Sequence, residues 1–151
     1  MKQTAEIKRI ESRLEVQTYL DSLKYAIQSG AVTLNFQKDR KVDLTRDPKY
    51  TNRYTVGKLF PDEDEVGALK RELSKLTVEA YIETVKDTRF PKRSEMRVFG
   101  KVYDEEDVYI KIRFELISRA HASGSSFILV MSFHFSERNF TDSLFPYMKG
   151  D

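Results

Sequence analysis

Two histidines, His121 and His134, are the side chains of this chain whose ordinary pKa lies near neutrality, and cysteine is absent. His134 follows Ser132 by two residues. Tyr109, Lys111 and Arg113 repeat the same interval, as do Arg97, Phe99 and Lys101. A period of two places such residues on one side of a β-strand. On a shared sheet face, Arg97, Lys101, Lys111 and Arg113 would supply positive charge for phosphates, with Arg93 as a further phosphate ligand. Phe99 would offer a ring on which an unpaired base stacks. Tyr109 and His134 would move protons, with Lys111 beside them. Such a set can cleave RNA without a metal: one group activates the ribose 2′-hydroxyl, cations stabilise the phosphorane, and an acid protonates the leaving oxygen. Which of Tyr109 and His134 is base and which is acid stays open. The same alternation also describes an ordinary solvated sheet face.

The elements that would position these residues follow from periodicity. Ser12 and Glu15 have the spacing of a capping box, Val16, Leu20, Leu23 and Ile27 follow at helical intervals, and Gly30 suits the stop. Residues before Ser12 extend that helix or fray. Residues 31–37 alternate as a half-buried strand. Residues 38–60 read as a loop with packed aromatics, or a short edge strand. A helix is expected over 61–75, with Pro61 at its start and Asp62-Glu63-Asp64-Glu65 complementing its dipole. Thr77 is placed to cap a short helix through Tyr81 and Val85. Residues 96–103, 108–117 and 127–135 read as strands joined by short connections, hence as consecutive antiparallel hairpins.

The apolar pattern suggests a register. With Tyr103 opposite Asp107, Met96, Val98, Gly100 and Val102 meet Phe114, Ile112, Ile110 and Val108. With Ile117 opposite Ser126, Tyr109 faces His134, Lys111 faces Ser132, and Ile110 faces Phe133. Met96, Val98 and Gly100 then lie inside, and Arg97, Phe99 and Lys101 join the polar side. Ile128 and Val130 fall on that polar side too, which leaves a purely structural dimer module open. The expected architecture is α+β, with helices packed on one face of a mainly antiparallel twisted sheet.

Composition narrows the function classes. The length suits one domain, residues 1–151, and ten Phe and eight Tyr are too many for a disordered chain. The absence of cysteine removes disulfides, thiolate metal sites and a cysteine nucleophile. Two histidines without cysteine argue against zinc, so neither metal nor cofactor is expected. No phosphate-binding glycine loop occurs, and Ser123-Gly124-Ser125-Ser126 has loop composition. No apolar run is long enough to span a membrane and no signal core is evident, so a cytoplasmic location is expected. Net charge is only +2, but residues 86–101 concentrate Lys86, Arg89, Lys92, Arg93, Arg97 and Lys101 against Asp87 and Glu95. Arg89, Lys92 and Arg93 flank Pro91 as a phosphate-gripping finger or as solvated charges. His121 reads as an exposed loop residue.

Four segments, in order, carry a resemblance. They are Leu76-Thr77-Val78-Glu79-Ala80-Tyr81, Val98-Phe99-Gly100-Lys101, Val108-Tyr109-Ile110-Lys111-Ile112 and Met131-Ser132-Phe133-His134. They resemble the motility quorum-sensing regulator (MqsR) family of toxins, above all its Gram-positive-type members, within the RelE-like toxins of type II toxin–antitoxin systems. The resemblance implies a RelE-like fold, metal-independent cleavage of mRNA, and a cognate antitoxin protein as partner. Tyr109 matches a catalytic tyrosine of that family, and His134 stands where some members carry a functional lysine. Val98 and Glu83 depart from an expected glutamine and lysine. Those departures motivate a second expectation: a non-catalytic accessory protein of a mobile element or phage that binds nucleic acid or protein through the same sheet.

Overall fold

The computed structural model describes residues 5–40, 45–116 and 126–148. Helix α1 (Arg13–Ser29) forms where the capping signals lie. The Ser12 hydroxyl accepts from the Glu15 amide, the Glu15 carboxylate accepts from the Ser12 amide, and Gly30 ends the helix at φ 77°. Its apolar stripe, Val16, Leu20, Leu23 and Ala26, is buried. Strand β2 (Val32–Phe36) follows. Helix α3 (Glu65–Leu73) begins later than the proline suggested, because the Asp64 carboxylate caps the Gly67 amide.

Three segments depart from expectation. Residues before Ser12 form a strand, β1 (Glu6–Arg9), paired with β3 (Tyr81–Asp87). The segment 77–85 is a single turn of 3₁₀-helix, Val78–Ala80, followed by β3 and not by more helix. Its Ile82, Thr84 and Val85 are β-branched and suit a strand buried from both sides. Residues 38–60 contain a 3₁₀ turn, Pro48–Tyr50, and helix α2 (Asn52–Leu59) in place of a loop or edge strand.

Strands β4 (Met96–Tyr103), β5 (Glu106–Leu116) and β6 (Ser126–Phe135) complete an open six-stranded sheet in the order β1-β3-β4-β5-β6-β2. Every pairing is antiparallel except β2 with β6. The fold is α+β. The helices bury Leu20, Leu23, Leu69 and Leu73 against Phe99, Ile110, Ile112, Val130 and Phe133. The opposite sheet face carries a smaller cluster of Ile82, Val85, Met96 and Val98, with Tyr109, Met131 and Phe145 packed against it.

Two local features set which side chains share a face. Asp104 and Glu105 both take positive φ (50° and 66°), as a two-residue type I′ hairpin requires. The expected three-residue connection would have set Tyr103 opposite Asp107; instead it faces Glu106. That one-residue shift turns β4 over. Arg97, Phe99 and Lys101 move to the helix side, and Val98 and Gly100 move to the other. In β6 the register steps from Lys111↔Ser132 to Ile112↔Val130, which leaves Met131 as a bulge. Its effect is apolar. Phe133 and Phe135 lie inside on one side of the bulge, and Ile128 and Val130 lie inside on the other, all at 0–1% exposure. Ile128 and Val130 are therefore core residues and not part of the polar face.

Residues 117–125, with His121 and Gly124, on which the expectation of a loop falls, lie outside the described residues. Among the described residues, no helix is long and apolar enough to cross a membrane.

Candidate nucleic-acid cleavage site

The second sheet face opens into a cleft of about 440 Å³ lined by Arg40, Arg46, Tyr109, Lys111, Ser132, His134, Ser136, Glu137 and Arg138. Tyr109 and His134 are cross-strand partners, and their rings stack at 5.6 Å between centroids with 27° between planes. Lys111 and Ser132 form the next pair along the same two strands.

Helix α2 holds β6 where His134 emerges. Strand β2 accompanies β6 only as far as Val130. Beyond that point Asn52 replaces it. Its amide nitrogen donates to the carbonyls of Gln37 (2.8 Å) and Met131 (2.9 Å), and its carbonyl accepts from the Phe133 amide (2.9 Å). The Thr55 hydroxyl then accepts from the Phe135 amide at 2.9 Å. Two side chains thus satisfy backbone groups on both sides of His134 that no strand among the described residues reaches.

His134 Nδ1 lies 2.9 Å from the Phe135 carbonyl. A carbonyl can only accept, so Nδ1 donates and the lone pair of the neutral ring resides on Nε2. Nε2 has no hydrogen-bond partner among the described residues. Burial holds the imidazole below its ordinary pKa, assisted by the positive charges of Arg46 and Arg40, against the Phe135 carbonyl and Glu137. The ring is therefore neutral at pH 7. Tyr109 is driven the other way: burial, then the carboxylates of Glu83 and Glu6, push its hydroxyl up to about 12. It remains a proton donor throughout the physiological range. The geometry thus offers a neutral base and a protonated phenol, side by side.

The cations arrive mostly from outside the strands. Arg40 follows β2 and donates from Nη1 to the Ser132 hydroxyl at 3.3 Å. Arg46 pairs with Glu137 at 3.0 Å. Lys111 is only 9% exposed, and its Nζ is 3.0 Å from Glu6 of the edge strand β1. Its charge is thus already partnered. Among the described residues, Arg40, Arg46, Arg138 and Lys111 outnumber the carboxylates of Glu6, Glu83 and Glu137, which leaves the cleft attractive to an anion.

The other expected site residues are elsewhere. Phe99 is 0% exposed, packed edge-on against Tyr81, and has no surface on which a base could stack. Arg97 lies beneath α1, paired with Glu11 at 2.8 Å and 4.4 Å from the Tyr19 ring centroid. Lys101 shares the helix side with Val108, its Nζ 5.4 Å from the Tyr103 ring centroid. All three shifts have one cause, the type I′ turn. Arg113 keeps to the open face, opposite Leu129 and farther along β5 than the cleft, and Arg93 sits at the β3–β4 hairpin tip. Conversely, Arg40, Arg46 and Arg138 were not anticipated. The basic character of residues 38–46 was the available signal, but a segment read as loop gave no direction for its side chains.

No protein-family model matches the chain, and no curated protein or solved structure shows significant similarity to it.

Proposed function

We propose that this protein is a metal-independent endoribonuclease of RelE-like fold, an mRNA interferase of the kind its MqsR-like motifs suggest, restrained by an antitoxin protein. The observation that carries the reading is the Tyr109–His134 stack at the wall of an arginine-rich cleft, with His134 neutral and its Nε2 lone pair available. His134 Nε2 takes the proton of a ribose 2′-hydroxyl. The 2′ oxygen attacks the adjacent phosphorus, forming the P–O2′ bond as the P–O5′ bond breaks. Tyr109 protonates the departing 5′ oxygen, and solvent returns a proton to it from the imidazolium. The products are a 2′,3′-cyclic phosphate and a 5′-hydroxyl. Arg40, Arg46 and Arg138 bear the phosphorane charge. Lys111 acts there only in so far as phosphate draws it from Glu6.

The test compares wild type, His134→Ala and Tyr109→Phe for RNA cleavage in EDTA and for growth arrest on expression. Cleavage by the wild type is expected, with a loss of about 10²–10⁴-fold in each variant, the usual contribution of a positioned acid or base. Wild-type protein that leaves RNA intact with and without added metal would remove the enzymatic reading.

A further inference from the structure

We infer that the tip of the β3–β4 hairpin, residues 88–93, is a second contact for single-stranded RNA, separate from the cleft. The choice of RNA rests on the nuclease reading. The tip holds an aromatic ring in solvent. Phe90 is 43% exposed and belongs to neither apolar cluster. The Arg93 guanidinium lies 4.1 Å from its ring centroid and Arg89 lies 5.8 Å away. Lys92 and Arg93 have no ion-pair partner among the described residues, whereas Arg89 forks onto Asp87 at 3.0 Å.

The tip is also built in advance. Lys86 Nζ donates to the Pro91 carbonyl at 2.9 Å and to the Arg93 carbonyl. The Phe90 amide donates to Asp87 at 3.1 Å, and the Arg93 amide to Phe90 at 3.0 Å. One lysine spends its charge bracing a turn that presents a ring and two cations unpaired among the described residues. A flat ring backed by guanidinium is the surface on which an unpaired base stacks, and the flanking cations meet the phosphates on either side.

The path between the two contacts suits the same ligand. Gly100 lies opposite Tyr109 and seven residues from Arg93, about 23 Å at strand rise. On the open face, Lys111 and then Arg113 lie on the way. Arg113 Nε is buried with no hydrogen-bond partner among the described residues. The next carboxylate, Glu115, is occupied by the Ser94 hydroxyl at 2.7 Å. A single strand with its scissile phosphate in the cleft can follow β5 to the tip, so substrates too short to span both lose the tip's contribution.

The test is fluorescence anisotropy with 2′-O-methylated oligoribonucleotides, which bind without being cut, of about 4 and about 16 nucleotides, the range of single-strand site sizes. The Phe90→Ala/Arg93→Ala variant should bind the long oligonucleotide about five-fold or more weakly, the loss expected of one base–aromatic stack, and the short one equally well. The slope of log K against log salt should fall by about 0.7 for the lost cation. Lys92→Glu, which leaves the ring in place, should weaken the long oligonucleotide as well. Thermal melting checks that both variants are folded. Long-oligonucleotide affinity within two-fold of wild type in both variants overturns the inference. A wild type that binds the long oligonucleotide but leaves unmodified RNA intact overturns the nuclease reading alone, and one that binds neither overturns both.

Discussion

At the scale of single residues, the division of labour between Tyr109 and His134 comes from what each ring loses on burial. Desolvation disfavours the charged form of both. For imidazole that form is the acid, so its pKa falls; for phenol it is the base, so its pKa rises. One environment therefore yields a neutral base and a protonated acid. The consequence for pH follows with a definite sign. The base works when unprotonated, so kcat/KM should rise with pH through the depressed His134 pKa and then level off. The acidic limb should lie below pH ~6.5, the ordinary histidine value. The rate should then stay flat until Tyr109 ionises around its pKa of about 12. A pH–rate profile on a short RNA checks this. An acidic limb above neutrality would show that a different group is the base.

At the scale of elements, α2 is the piece that holds the end of β6 by hydrogen bonds. Its sequence includes Asn52, Thr55, Val56 and Gly57, poor helix formers as a group. It is held instead by what its side chains do for the sheet. Asn52 alone closes three hydrogen bonds across the end of β2, two to carbonyls and one from the Phe133 amide. Asn52→Ala leaves those buried groups without a protein partner. Unsatisfied groups of this kind cost roughly 1–3 kcal/mol each, less where water enters, so a loss of about 3 kcal/mol is expected in urea unfolding. Hydrogen exchange at the Phe133 and Phe135 amides should rise in the same variant. An unchanged unfolding midpoint would show that α2 does not carry this part of the sheet.

At the scale of the whole molecule, the C-terminal segment joins both faces. Phe140 and Phe145 lie on the open face over Gly100, and the Phe140 amide donates to Asp107 at 2.7 Å. Tyr147 has crossed to the helix side, where it stacks on Tyr81 at 6.2 Å and donates to the Glu11 carbonyl at 2.5 Å. Gly100 is the point of closest approach. A Cβ there would stand 2.7 Å from Phe140 Cε2 and 2.9 Å from Phe145 Cζ. Gly100→Ala should therefore displace those rings at a cost of about 1–3 kcal/mol, the usual penalty of overpacking. Tryptic cutting after Arg138 should accelerate, while the Tyr109–His134 stack stays intact. Unaltered proteolysis would mean that the rings move aside freely.

Local chemistry made much of this molecule legible in the chain itself. The capping box and Gly30 bound α1. The apolar alternation located β4, β5 and β6 and set Tyr109 opposite His134, because Val108, Ile110, Phe133 and Phe135 had to point inward together. What local patterns could not settle was any choice between two faces that both carry apolar side chains. In β4, Met96 and Val98 on one parity compete with Phe99 on the other, and both sides of that strand are in fact covered. The winner was set by a two-residue turn that placed ordinary acidic residues at positive φ. In β6 a bulge changed parity midway, visible in the chain only as the three-residue interval from Val130 to Phe133. The cleft's arginines, α2 and the edge strand β1 depend on contacts between segments far apart in sequence. Periodicity reports only which side of an element is apolar; which distant charge comes to rest beside His134 is decided by the packing of the folded chain.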